Sequence, residues 1–235
     1  MNTTTPNTPA AVPHVHIGHY LDTQPMSPAE WGITDIRGHA MNGALIARTG
    51  AGTSTALARI ASRARAAGIV VWYLDGSHLD PAVAAHAHWS TLDAEEVLER
   101  GRRRTGPGAG DSRVLVLIDH AWRVWDDHRH LHRRDAFEHL VLAGPPAGLG
   151  VLARTHTLDR SAFGTAAIRD ALALPQTLLL GNIPATDHAL AQDLLDGYDP
   201  DLAHRQFGTK RPPCTGVQVA GRLTHTLTLR THLQD

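Results

Sequence analysis

The sequence has no second thiol to pair with Cys214, its only cysteine, so no disulfide can form within the chain. A reducing compartment is the natural reading. It has no long apolar run either. The longest, "RVLVLI" and "TLLL", fall far short of the roughly 20 residues that cross a bilayer, and no membrane insertion is expected. Its first residues, "MNTTTPNTPAAVPHVHIGHY", lack the basic and apolar regions of a secretory signal. Nor is there a surplus of charge of one sign. The formal net charge is −1 with 17 histidines neutral, so contact with nucleic acid would have to come from a local patch. The expectation is a soluble, cytoplasmic protein. With 42% hydrophobic residues among 235, the chain can bury a core of α/β size.

Residues 1–13, rich in Thr, Asn and Pro, read as a disordered tail, and 14–235 as one domain. Residues 14–42 read as an irregular lead-in to the first strand. Short, β-branched apolar runs then recur at 43–48, 69–75, 113–119, 149–155 and 177–181, alternating with helical patterns at 54–67, about 92–104, about 133–143 and 165–173. Strands apolar on both faces point to a parallel sheet covered by helices. Helix 54–67 places Leu57, Ile60, Ala61 and Ala64 on one face and ends at Gly68. Asp93 with Glu96 resembles a capping box. Residues 101–112 read as a basic surface loop, and 216–230 as a C-terminal β-hairpin turning at Ala220–Gly221–Arg222.

The stretch "ALIARTGAGTSTALARIASRARAAG" (44–68) has the outline of a phosphate-binding loop. Such a loop, G-x-x-x-x-G-K-[ST], joins a buried strand to a helix whose amides wrap an anion. Its lysine reaches the β/γ-phosphates and its hydroxyl holds Mg²⁺. Here the candidate nucleotide-binding residues are Arg48, Thr49, Gly50, Ala51, Gly52, Thr53, Ser54 and Thr55. Ala47 replaces the first glycine and Thr53 replaces the lysine. About 65 residues further on, "RVLVLIDH" is an apolar strand ending in Asp119. A carboxylate there can hold Mg²⁺ beside the loop, so Ser54 and Asp119 are the candidate metal residues. A helix cap is the plain alternative for Asp119. A third strand, "GLGVLART", ends in Thr155 and is followed by His156.

Taken in order, "LIARTGAGTS", "VVWYLDGSH", "VLVLIDHA" and "GLGVLARTHTLDRSAFGTAAIRDAL" resemble the motor domain of the FtsK/SpoIIIE-like DNA translocases over about 43–185. In that family the corresponding motifs read roughly GTTGSGKS, an Asp-Pro-Lys-like turn, a strand ending Asp-Glu, and GIHLVLATQRP. Thr49, Gly50, Gly52 and Ser54 match the loop, Asp75 the turn, Asp119 the acidic strand, and Gly148 and Thr155 the sensor strand. The resemblance implies a RecA-like P-loop NTPase fold, α/β with a mainly parallel sheet in the order fifth–first–fourth–third–second. It also implies ATP and Mg²⁺ as cofactors, and DNA and an active homologous ATPase as partners.

The chain departs from that pattern where the chemistry is done. Thr53 stands for the lysine, His120 for the water-activating glutamate and His156 for the sensor glutamine. Each lost charged group can be worth ~3 kcal/mol or more of transition-state stabilisation, so losing both costs several powers of ten in rate. The expectation is a degenerate member, accessory to DNA translocation or transfer, with ATP and Mg²⁺ binding weak or lost and little or no hydrolysis. No catalytic residue is assigned, with His120 at the glutamate position and Thr155 at the sensor position. The alternatives are an active ATP-dependent translocase with atypical motifs and a non-nucleotide interaction module. Arg48 sits where one variant group of P-loops places a lysine acting across a dimer, although solvated surface explains it as well. The histidines of 14–19 and 120–139 lack the convergent spacing of a metal site. Trp72, Trp122 and Trp125 read as core. Alone, the chain is expected to be a monomer or weak dimer.

Overall fold

A computed structural model of the protein describes residues 14–106, 112–125, 131–207 and 212–229. The tail 1–13, the centre of the loop before the acidic strand, and His128 and His130 lie outside the described residues. The strands are β1 (His14–Tyr20), β2 (Pro28–Gly32), β3 (Gly43–Ala47), β4 (Val70–Asp75), β5 (Trp89–Thr91), β6 (Val114–Asp119), β7 (Leu149–Thr155), β8 (Gln176–Leu180), β9 (Thr215–Ala220) and β10 (Leu223–Thr228). The helices are α1 (Thr53–Ala66), α2 (Pro81–Ala84), α3 (Ala94–Thr105), α4 (Ala121–Trp125), α5 (Leu131–Ala143), α6 (Ala166–Ala173), α7 (Ala185–Leu194) and α8 (Pro200–Phe207).

One sheet runs β2-β1-β10-β9-β8-β3-β7-β6-β4-β5. From β8 to β5 all neighbours are parallel. From β2 to β8 all are antiparallel. The five strands expected from the apolar runs lie in the expected order, β8-β3-β7-β6-β4.

The parallel strands are buried on both faces, and their period of two sorts side chains into two cores. Ala44 and Ile46, Trp72 and Leu74, and Val116 and Ile118 join one core with residues of α3, α5 and α6. The intervening Leu45, Val71, Tyr73, Leu115 and Leu117 join the other with Leu57, Ile60, Ala61 and Ala64 of α1. That parity decides which strand-end residues can face the loop before α1.

Four local expectations are corrected. Residues 14–42 are not an irregular lead-in. They hold β1 and β2, which pair with each other and close over α1: Val15, Ile17, Ala29 and Trp31 share the α1 core, and Arg59 Nη1 donates to Ile17 O at 2.9 Å. Alternation with histidines hid the period of β1. Residues 101–105 are helical, because Gly101 lets α3 approach α5 so closely that a Cβ there would lie 2.3 Å from Leu140. Asp93 caps α3 by accepting from Glu95 N at 2.9 Å, but its own N–H donates to Thr91 Oγ1, so the reciprocal bond of a capping box is missing. Trp125 is core as expected, whereas Trp122 is only half-buried. Helices α7 and α8 were not anticipated at all.

Candidate functional site

The turn between β3 and α1 enters the helix through Gly52 at φ 97°, with Gly50 at φ 83°. No side chain caps the helix, so its first-turn amides are left for another acceptor. Gly52 could not carry a side chain: a Cβ would stand 2.7 Å from Cys214 Sγ. Cys214, itself at φ 64°, donates its N–H to Ala51 O at 3.0 Å. The segment leading into β9 therefore braces the loop from behind.

Opposite the loop stand three strand ends. Asp75 and Asp119 face each other in register as the last residues of β4 and β6. Arg154 of β7 follows the Ile118–Ala153 pair and so sits beside Asp119. All three share the parity of the α1 face, and all are buried, at 1%, 4% and 5% exposure. Arg154 Nη1 donates to Asp119 Oδ1 at 3.2 Å and Nη2 to Ala47 O at 3.3 Å. Its guanidinium lies 5.1 Å from the Trp122 ring, within cation–π range. Its Nε has no partner among the described residues, and neither has Thr53 Oγ1.

His120 completes the group. It takes the left-handed conformation, φ 49°, which few residues other than glycine adopt, histidine among the more frequent of them. Its N–H donates to Asp119 Oδ1 at 2.7 Å. Its Nδ1 is 2.9 Å from Asp75 Oδ1 and 3.6 Å from Asp119 Oδ1. Asp75 is crowded with donors: Oδ1 also accepts from Ser77 N at 2.8 Å and His78 N at 3.2 Å, and Oδ2 accepts from Tyr73 Oη at 2.9 Å. Burial pushes the Asp119 carboxyl above the usual carboxylate range, against the pull of Arg154 and His120. The Tyr73 hydroxyl is pushed up by burial and by the Asp75 carboxylate. At the rim, His156 is held below its ordinary value by burial and then by Arg154, with Arg48 adding to it and Asp187 opposing.

The loop, Asp75, Asp119, His120 and Arg154 line one cleft of about 360 Å³, within the usual range for a small-molecule site. Of the residues singled out in the sequence, Thr49, Gly50, Gly52, Thr53, Ser54, Thr55, Asp75, Asp119 and His120 line it, and His156 does not. Arg48 is exposed and outside its walls, and Ala51 is buried behind the loop. Thr155 lies on the opposite face of β7, where its hydroxyl donates to Thr157 O at 2.8 Å. Three lining residues were missed in the sequence, His78, Asp80 and Arg154, and the buried one is Arg154. Its signal was present, as one charged residue inside the apolar run "LGVLART", a placement that burial tolerates only with a partner.

No family model matches the sequence, and no curated protein matches it. Solved structures do match the fold. The protein superposes on ATPases 2 and 3 of Thermomonospora curvata EccC in complex with a signal sequence peptide with a TM-score of 0.60, at 17% identity over 95% of this chain and 46% of that one. It matches the pCW3 conjugation coupling protein TcpA, solved with ATPγS, with a TM-score of 0.65, at 12% identity over 93% of this chain and 66% of the other. It matches B204, the DNA-packaging ATPase of Sulfolobus turreted icosahedral virus, with a TM-score of 0.55, at 11% identity over 80% of this chain and 98% of that one. The chain thus spans less than half of the EccC fragment. At these identities the likeness is one of fold. The chain has the α/β fold of the FtsK/SpoIIIE-type P-loop ATPases. Among the described residues, no helix is long and apolar enough to cross a membrane.

Proposed function

We propose that the protein is a nucleotide-binding module on this ATPase fold, with little or no hydrolysis, acting beside an active ATPase that moves DNA or protein. The observation that carries the reading is the convergence of an uncapped 14-residue helix and a buried arginine on one cleft. The first-turn amides and helix dipole suit a polyphosphate. Arg154 and the hydroxyl-bearing Thr53, Ser54 and Thr55 line the same cleft. Two of the similar structures hold ATPγS, which is the chemistry this cleft would take. The weak turnover follows from Thr53, which brings no charge to the loop, and from residue 120, which is not a carboxylate.

Magnesium, which P-loop ATPases use, fits the donor set poorly. The ion favours octahedral oxygen ligands. Here Asp119 Oδ1 already accepts from a guanidinium and an amide, Asp75 accepts from four donors, and the third neighbour is an imidazole, so the oxygens left for an ion are Asp119 Oδ2 and the Ser54 hydroxyl, with the Arg154 charge beside them.

Thermal shift with ATPγS tests the binding. Stabilisation should follow RT ln(1 + [L]/Kd), and no shift at millimolar ligand would remove the nucleotide reading. Phosphate release tests the chemistry. Turnover below about 1 s⁻¹, the low end of ordinary enzyme rates, is expected. Faster turnover that vanished in Ser54→Ala would overturn the proposal in favour of an active motor. One contact supports that second reading: with Asp75 accepting Nδ1–H at 2.9 Å, His120 keeps Nε2 as a base, an orienting arrangement used in acid–base catalysis. A His120→Ala variant that kept binding but lost measured turnover would establish it.

A further inference from the structure

We infer that Arg154 holds the place of the divalent cation, making the cleft a metal-independent polyphosphate site. The inference rests on the nucleotide-binding reading and adds how the phosphate charge is met. Three observations lead to it. First, one oxygen of the acidic residue at the end of β6 is taken: Asp119 Oδ1 has the Arg154 guanidinium at 3.2 Å and the His120 amide at 2.7 Å. The guanidinium cancels the carboxylate that would otherwise attract an ion. Second, Arg154 is fixed rather than swinging. It is 5% exposed, tied to Ala47 O at the root of the phosphate-binding loop, and set over Trp122. Its charge is therefore preorganised beside the helix N-terminus. Third, Nε is buried and without a partner among the described residues, while the residue lines the cleft. A buried N–H that is left unpaired is costly, which marks the guanidinium as held there by its other contacts, and a phosphate oxygen in the cleft is a natural acceptor for its terminal N–H groups.

The loop's missing charge and the extra buried charge are two sides of one arrangement. Thr53 brings no cation to the turn. Arg154 brings one from the strand on the other side of the cleft, already neutralising the carboxylate there. An arginine is permanently charged and makes directional contacts to phosphate; set against Asp119, its charge removes the repulsion there and leaves the helix N-terminus to anchor the anion without a loop lysine or a metal.

The test has one arm with nucleotide and one without. ATP is titrated calorimetrically into the full-length protein in excess EDTA and in excess Mg²⁺. The dissociation constants are expected to agree within about threefold. Mn²⁺ alone is titrated by electron paramagnetic resonance, and wild type is expected to leave it free. In Arg154→Met, ATP binding in EDTA should weaken at least tenfold, and Mn²⁺ should now be taken up at the exposed acidic pair. Asp119→Asn keeps the guanidinium and releases it from its partner, so it should bind ATP in EDTA as tightly as wild type or more tightly. It serves if Arg154→Met does not fold. Stoichiometric Mn²⁺ binding by wild type would overturn the inference and assign Asp75, Asp119 and His120 as a metal site. So would a requirement for Mg²⁺ exceeding tenfold, or a loss of ATP binding in Asp119→Asn. If wild type binds no ATP in either buffer, the nucleotide reading fails, and the Mn²⁺ arm alone decides whether Arg154 stands in for a cation.

Discussion

At the scale of single residues, the cleft is held by a chain of buried polar contacts rather than by apolar packing. Tyr73 is fully buried and donates to Asp75 Oδ2 at 2.9 Å, while Asp75 Oδ1 holds His120. Replacing Tyr73 by Phe keeps the ring and removes the donor, so one oxygen of a 1%-exposed carboxylate loses its partner. Such a loss costs about 1–3 kcal/mol. Urea unfolding of Tyr73→Phe should show a midpoint lowered accordingly with an unchanged slope, and an unaltered midpoint would mean that water replaces the hydroxyl. Residues at this scale were unevenly legible in the sequence. Asp119 and the loop glycines announce themselves by standing at the junction of an apolar run and a helix. Arg154 does not, because its role depends on which face of β7 it occupies and on the neighbour in register, and both are properties of the sheet. Thr155 shows the same limit in reverse: it is adjacent in sequence to the site residue, yet on the other face.

At the scale of elements, the strands with two buried faces were the readable ones, because their composition is apolar throughout whatever their neighbours do. β1 and β2 were not. Their pattern mixes His, Gly and Pro with a few apolar residues, and what makes them strands is mutual pairing and contact with distant elements. Gln176, at the start of β8, is the clearest of those contacts. Its Oε1 accepts from Gly32 N at 3.0 Å and its Nε2 donates to Gly32 O at 2.7 Å, with the side chain 1% exposed. One side chain thus satisfies both backbone groups of the last residue of β2 and draws the hairpin over α1. Gln176→Leu preserves volume and leaves that N–H and C=O unpaired. A loss of about 2–6 kcal/mol is expected from two stranded buried groups. Hydrogen exchange at the Gly32 amide should accelerate markedly while the central strand β6 stays protected relative to β2. Equal acceleration of both strands would show that the hairpin does not open on its own.

At the scale of the whole molecule, the general architecture could be read because order and spacing of five strands suffice to select it. In the antiparallel half the β9–β10 hairpin was legible from its alternation and turn, and it forms as expected, but its union with β1 and β2 was not, since those strands come from the other end of the chain. That half bears on assembly. The sheet ends on β2, which opens with Pro28, and on β5, which is only three residues long. Both are poor templates for edge-to-edge pairing. The large apolar side chains that are exposed among the described residues, Met26, Ile36, Leu92, Leu142, Leu174 and Leu223, come from six separate segments. A ring needs a heterologous interface built from two different patches on each copy, and a stable interface buries on the order of 1,200–2,000 Å². Bound nucleotide contacting the neighbouring copy could supply part of that energy, but the loop here carries Thr53 in place of its lysine. The isolated chain is therefore expected to be a monomer or a weak dimer, entering larger assemblies only through another ATPase. Light scattering at micromolar concentration, with and without ATP, measures this directly. A stable hexamer of the isolated chain would contradict it and would favour the motor reading over the accessory one, because a closed ring with a central channel is the geometry needed to thread a polymer.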